Sequence, residues 1–197
     1  MSDTRTRTRT RLSREERNTQ LMTVAWEIIR EEGTEALTLG RLAERAGVTK
    51  PVVYDHFTSR SGLLAALYRE YDVRQTRKLD EAIARTAPEL RPLATVIADA
   101  YIECVLLQGR EMPNVMAALS GTPELEKLRQ EYALEFTAKC RALFAPFRAQ
   151  GALRDAALWA MFGAAEGLSW AVAIGAIDGR AAKAELRDAI VGMVERA

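Results

Sequence analysis

At 197 residues the chain is long enough to bury one sizeable core or two, and 48% hydrophobic with 28% charged residues is the balance of a globular protein, which excludes a disordered or fibrous one. A net charge of +1 excludes a uniformly polybasic nucleic-acid binder, but Arg5, Arg7, Arg9, Arg11, Arg14 and Arg17 crowd the start of the sequence while the part beyond residue 60 is close to neutral. The first twelve residues, MSDTRTRTRTRL, repeat Thr-Arg with too little apolar surface to fold alone, so residues 1–13 are expected to form a disordered basic arm. A solvated tail and an arm that neutralises phosphates or enters a minor groove are both open readings. Asp3 and the lack of an amphipathic apolar face count against a mitochondrial targeting segment, and no secretory apolar core is present.

A first helix is expected over about 14–32, where Leu21, Val24, Ala25, Ile28 and Ile29 form a stripe that Gly33 ends. Residues 38–57, TLGRLAERAGVTKPVVYDHF, then read as two short helices around a tight turn, a helix-turn-helix. Thr38 caps the first of them, and Leu39, Leu42 and Ala43 form its apolar face. Gly47 reaches the positive φ of a sharp turn, Val48 plugs the angle, and Thr49 caps the second helix with Pro51 in its first turn. Val53 must face the core, which leaves Lys50, Pro51, Val52, Tyr54 and His56 largely on the outside. That is an odd face for a solvated helix and a sensible one for a duplex groove.

A longer helix starts after Ser59 or Ser61 and runs toward about residue 86, where Pro88 and Pro92 break the pattern. Further helices are expected near 92–108, 111–120, 123–149, 153–176 and 180–196, with no alternating β-branched runs, so the fold class is all-α with about nine helices. Cys104 and Cys140 lie far apart among apolar neighbours, which favours buried thiols over zinc or a disulfide framework. Ala156 to Ile177 is 22 residues with one charge, Glu166, long enough to cross a bilayer. Its alanine and glycine content and its flanks, Asp155 and Asp178, make it instead a buried interface helix, with no membrane partner. Gly163, Gly167, Ala171 and Gly175 repeat every four residues as a smooth ridge, and Leu186, Ile190, Met193 and Val194 form an apolar stripe on the last helix. Phe162, Glu166, Ser169 and Ala173 are expected opposite the ridge, facing the core.

Residues from about 14 to 70 resemble the N-terminal domain of the TetR (tetracycline repressor) family of bacterial transcriptional regulators. The carriers are Ala25 to Gly33, Thr38 to Val48, Thr49 to Phe57, and Arg60 with Gly62, Leu63 and Leu64. The resemblance implies a three-helix DNA-binding domain over 14–60 and a helical effector-binding and dimerisation domain over 61–197. It implies a homodimer, its last two helices paired with their copies at Gly163, Gly167, Ala171, Gly175, Leu186, Ile190 and Met193; packing inside one subunit is the alternative. On double-stranded operator DNA, Thr38 and Thr49 are expected to bind phosphate at helix N-termini, and Lys50 to reach a base edge with Pro51 and Val52 against thymine methyls. Tyr54, His56 and Arg60 take the family's phosphate-contacting places. A small lipophilic effector is expected among Tyr101, Met112, Met116, Phe144, Phe147, Trp159, Phe162, Glu166 and Trp170, an apolar set with one carboxylate.

The implied function is a cytoplasmic, ligand-responsive repressor that binds a pseudo-palindromic operator. Activation, ligand-independent DNA binding and a helical ligand-binding protein without DNA remain the alternatives. No catalytic constellation is present: there is one histidine, no phosphate loop and no metal motif, so neither an enzyme nor a cofactor or metal site is expected.

Overall fold

The computed structural model describes residues 12–106, 111–148 and 151–196. The expected disordered arm, apart from Leu12 and Ser13, lies outside the described residues. Among the described residues there are nine α-helices and no strand: α1 (Arg14–Glu32), α2 (Leu39–Ala46), α3 (Lys50–Tyr54), α4 (Arg60–Ala84), α5 (Leu90–Leu106), α6 (Glu111–Leu119), α7 (Pro123–Phe144), α8 (Asp155–Ala173) and α9 (Gly179–Glu195). Short 3-10 turns follow α1 at Thr34–Ala36 and α7 at Ala145–Phe147. The chain forms two compact units that meet between Leu67 and Tyr68, inside α4.

Local chemistry sets the boundaries. Ser13 and Glu16 close a reciprocal cap on α1, Glu16 N–H donating to Ser13 Oγ at 3.2 Å and Ser13 N–H to Glu16 Oε2 at 2.7 Å. Asp178 opens α9 by accepting from the amides of Arg180 and Ala181 at 2.8 and 2.9 Å. Pro92 lies inside the first turn of α5, where its missing N–H breaks no helical bond, so the helix begins before the proline rather than at it.

In the first unit, Leu21, Ala25, Ile28, Leu37, Leu42, Val53, Phe57, Leu63, Leu64 and Leu67 are buried, so the opening turns of α4 belong to this core. In the second, α5, α7, α8 and α9 enclose Ile97, Ile102, Phe136, Phe144, Leu158, Met161, Phe162, Leu186, Ile190 and Val194. The length and hydropathy of α8 would let it cross a membrane, but its buried side packs on α5, α7 and α9.

Two sequence expectations for this unit are corrected. Leu186, Ile190 and Met193 are buried within the chain, because the apolar stripe of α9 is already covered by α5 and α8. Gly175 lies beyond the end of α8 and cannot continue its ridge. With φ at 74° it terminates the helix, its N–H bonding Val172 O at 3.0 Å and that of Ala176 bonding Ala171 O at 2.9 Å.

Candidate functional site

The bend between α2 and α3 is built from backbone bonds around one glycine. Thr38 Oγ1 accepts from Arg41 N–H at 3.0 Å and starts α2. Gly47, at φ 64° and ψ 35°, stops it, and the amides of Gly47 and Val48 return to Glu44 O and Ala43 O at 3.2 and 3.0 Å. Val48 is half-buried in the angle, and Ala43 is buried where α2 meets α1 and α3. Thr49 stands at the start of α3 with extended backbone, but its hydroxyl makes no capping bond, contrary to expectation.

The helix α3 is five residues long. Val53 is its only fully buried side chain, which fixes its rotation. Lys50, Pro51 and Tyr54 consequently face outward, Val52 and His56 are half-buried, and the Tyr54 side chain is 53% exposed. Gly40 leaves room for Lys50, whose Cε would lie 3.7 Å from a Cβ placed there. Burial, followed by the positive charges of Arg14 and Arg17, pushes the His56 imidazole below its ordinary value, which favours its neutral form.

Buttressing holds this face in place. Arg41 pairs with Glu32 and Glu44, each at 2.9 Å, while Arg45 reaches Glu31 at 2.8 Å and Glu32 at 3.2 Å, joining α2 to the end of α1. Gln20 donates from α1 to Ala46 O at 3.3 Å. Arg60, expected on a phosphate, is committed inward: Nε donates to Leu37 O and Nη2 to Thr34 O, both at 2.8 Å, with Glu35 at 3.4 Å. The inward commitment gives Leu37 O a donor and adds a second one to Thr34 O, which already accepts from Leu37 N–H at 3.2 Å. Nothing in the spacing of the sequence signals it.

In the second unit a ring cluster joins α5, α7 and α8. Tyr101 meets Phe136 edge-on at 5.2 Å, with Tyr132 and Phe162 each at 6.4 Å, and Trp159 caps Phe162 at 5.9 Å. Tyr132 and Phe136, absent from the sequence-based set, stand one turn apart on α7 and stack at 5.9 Å. Their spacing could have flagged them. Burial pushes the hydroxyls of Tyr101 and Tyr132 above their ordinary value, and that of Tyr68 up to about 12. Phe144 is wholly buried in the core and Met112 buried on α6, while Met116 and Phe147 are half-buried.

Glu166 does not face the core. Its side chain is 48% exposed and its Oε1 lies 3.7 Å from Arg129 Nη2. Ala173 is exposed as well, whereas Phe162 and Ser169 are buried as expected. At about 100° per residue Glu166 falls some 60° from Gly163, at one edge of the outer arc rather than opposite the glycines. That arc carries Trp159, Gly163, Glu166, Gly167 and Trp170, Trp170 being 67% exposed, with Ala171 half-buried at its edge. A Cβ at Gly163 or Gly167 would meet nothing within 4 Å.

A short helix pinned at one buried valine and presenting lysine, proline and tyrosine beyond a glycine turn defines the first unit as a helix-turn-helix domain. Residues 21–67 match the family model for bacterial regulatory proteins of the tetR family, so this part of the chain is similar to the N-terminal domain of a family of regulators. Over 63 residues it is 46% identical to the HTH-type transcriptional activator FasR of Mycolicibacterium smegmatis, covering 32% of this chain and 29% of FasR. Over 90 residues it is 31% identical to the HTH-type transcriptional regulator BetI of Cronobacter sakazakii, covering 46% of this chain and 41% of BetI. The chain thus spans less than half the length of these two relatives.

The fold extends further than the sequence likeness. A transcriptional regulator of the TetR/AcrR family from Thermobifida fusca superposes with a TM-score of 0.64 at 22% identity, covering 89% of this chain and 96% of that one. The multidrug binding protein EbrR does so in its imidazole complex, with a TM-score of 0.66 at 18% identity, covering 91% and 90%. Its ethidium complex gives 0.64 at 20%, covering 88% and 98%.

Proposed function

We propose that the protein is a ligand-responsive transcriptional regulator that binds a pseudo-palindromic operator as a homodimer and represses from it. The observation that carries this is the outward face of α3, where Lys50, Pro51 and Tyr54 stand exposed while Val53 locks the helix from behind. Lys50 reads a base edge, Pro51 and Val52 meet thymine methyls, and Thr38, Thr49, Tyr54 and His56 hold phosphates. Arg60 acts by positioning the connection between α1 and α2. On this reading residues 14–60 are the reading head and 61–197 the effector and dimer domain, and the protein works in the cytoplasm on the chromosome.

The effector is a small lipophile held near the ring cluster of Tyr101, Tyr132, Phe136 and Phe162, beside Trp159 and the Arg129–Glu166 pair. The ethidium bound by EbrR is consistent with an aromatic ligand of this kind. Release follows only if the ligand has different affinities for the DNA-bound and free conformations. Activation is a second reading, favoured by the activator FasR among the relatives.

Selection of bound duplexes from a random pool, at two salt concentrations, tests the proposal. An enriched inverted repeat that survives higher salt is expected. Absence of enrichment, or binding that disappears with salt whatever the sequence, overturns it.

A further inference from the structure

Within the second unit, α4 stands off from α5 and α7 where it passes the ring cluster. Tyr71 joins it to α5, its hydroxyl donating to Cys104 O at 3.1 Å, and α7 is reached by Arg69 to Glu131 at 3.5 Å and by Asp80 to Lys139. These links join side-chain ends, whereas α5, α8 and α9 pack closely along their length. Tyr68, Tyr101 and Tyr132 border the space between. Each ring keeps accessible area while burial raises its hydroxyl, which is the behaviour of a cavity wall rather than of a filled core. Two polar groups beside these rings are left without a partner by the fold. Phe162 meets Tyr101 and Tyr132, so that side of α8 faces the rings, and Ser169 lies on the same side about two turns on. Its buried Oγ has no hydrogen bond among the described residues. Asp72 lies about one turn beyond Tyr68 on α4 and is half-buried, and the ion pairs on either side, Arg69–Glu131 and Lys139–Asp80, leave it without one of its own. Burial and then the charge of Glu135 push its carboxyl above the ordinary value, with Lys139 acting the other way.

We propose that this site takes a lipophilic cation, its positive charge set against Asp72 and the rings of Tyr68, Tyr101 and Tyr132. The inference rests on the placing of the effector at the ring cluster and names the chemical class of that effector. Charge complementarity carries it. Tyr68 and Tyr132 feel the charge of Asp72, and Tyr68 and Tyr101 that of Glu166, so two carboxylates bear on the same phenols. Against them stands Arg129, which already faces Glu166 at 3.7 Å. A neutral lipophile would leave the Asp72 carboxylate unpaired and drier than before, and an anion would add repulsion to that cost. A cation offsets the cost and is drawn to the negative faces of the rings as well. The Ser169 hydroxyl then accepts from an N–H of the ligand, which gives an otherwise apolar wall one point of orientation.

The test uses the full chain, freed of nucleic acid, and three flat aromatic probes titrated by calorimetry at neutral pH. Ethidium is the cation with amino groups, phenanthridine its uncharged ring system, and anthracene-9-carboxylate the anion. The native protein should bind ethidium about tenfold or more tighter than phenanthridine and the anion most weakly. Asp72→Asn should lose about tenfold for ethidium and nothing for phenanthridine, while Asp72→Glu should keep most of the preference. The Asn protein should unfold no earlier than the native one, because the substitution removes a carboxylate held against Glu135. Ser169→Ala, which breaks no bond of the fold, should weaken ethidium about three- to tenfold. An Asn protein that loses nothing, or loses equally for ethidium and phenanthridine, overturns the cation assignment and leaves the ring-cluster site standing. Native protein that prefers phenanthridine or the anion does the same. Unchanged ethidium binding in Ser169→Ala overturns the part given to that hydroxyl. If the native protein binds none of the three, both the cation assignment and the placing of the effector at the rings are overturned.

Discussion

Lys50 and Tyr54 sit four residues apart on α3, but they perform different work in the proposed complex, and substitution should separate them. Lys50→Ala is expected to cost about 1–3 kcal/mol of operator affinity and to relax one base position, because it removes a donor to a base edge. Tyr54→Phe removes a phosphate contact and should weaken every sequence alike. Identical profiles for the two across a panel of operator variants would refute the division. Arg60 gives the converse case. Removal in Arg60→Ala leaves Leu37 O without that donor and Thr34 O with only the amide of Leu37, which should lower folding stability by about 1–3 kcal/mol in denaturant titrations. The salt slope of DNA binding should stay unchanged, whereas a true phosphate contact would drop it by about 1.

His56 supplies the pH dependence at this scale. Its value in the folded protein lies below the ordinary one because of burial and then Arg14 and Arg17. The unfolded chain therefore holds the proton more tightly, and this group's contribution to stability, complete above the ordinary value, is lost as pH falls through the depressed one. A phosphate beside the ring acts in the opposite sense and raises its affinity for a proton. Operator binding should accordingly take up a proton and strengthen as pH falls from about 8 to about 6, by at most about tenfold per unit of pKa change. Binding by His56→Gln should lack that component. Titration of the two proteins side by side would expose a pH dependence that owes nothing to His56.

At the scale of elements, the helices with strong end signals were readable in advance. Ser13 with Glu16, Thr38 and Gly47 each fix a terminus by a bond between neighbours in sequence, so their pattern carries the information locally. Gly47→Ala should consequently destabilise the first unit by roughly 1–2 kcal/mol, since a Cβ at φ 64° is strained although the surrounding space is open. Thermal unfolding at unchanged DNA specificity would measure it, and an unaltered midpoint would count against the turn as the stop. What could not be read was how elements face one another. The apolar stripe of α9 looks the same in sequence whether it meets α5 and α8 or a second copy. Glu166 was misplaced because a four-residue repeat was followed as if it ran straight along the helix. The inward use of Arg60 depends on carbonyls more than twenty positions away.

For the whole molecule, the outer arc of α8 raises the question of what covers it. Trp159 and Trp170, three turns apart, flank the flat path of Gly163 and Gly167, and a single carboxylate interrupts an otherwise apolar surface. Monomeric proteins rarely leave such a patch in water, and two glycines without a neighbour suit the close approach of another helix backbone. A second copy is the proposed occupant, with α8 supplying the contact and the buried stripe of α9 supporting it from behind. Gly163→Arg together with Trp170→Glu should convert the protein from dimer to monomer in light scattering. Both positions are exposed, so helical content and unfolding midpoint should change little. Operator affinity should fall far more than the loss of any single DNA contact would explain, because one reading head without its twofold mate binds a half-site alone. A native protein that is monomeric at the concentrations where it fills its operator would contradict this, and so would a double variant that remains dimeric.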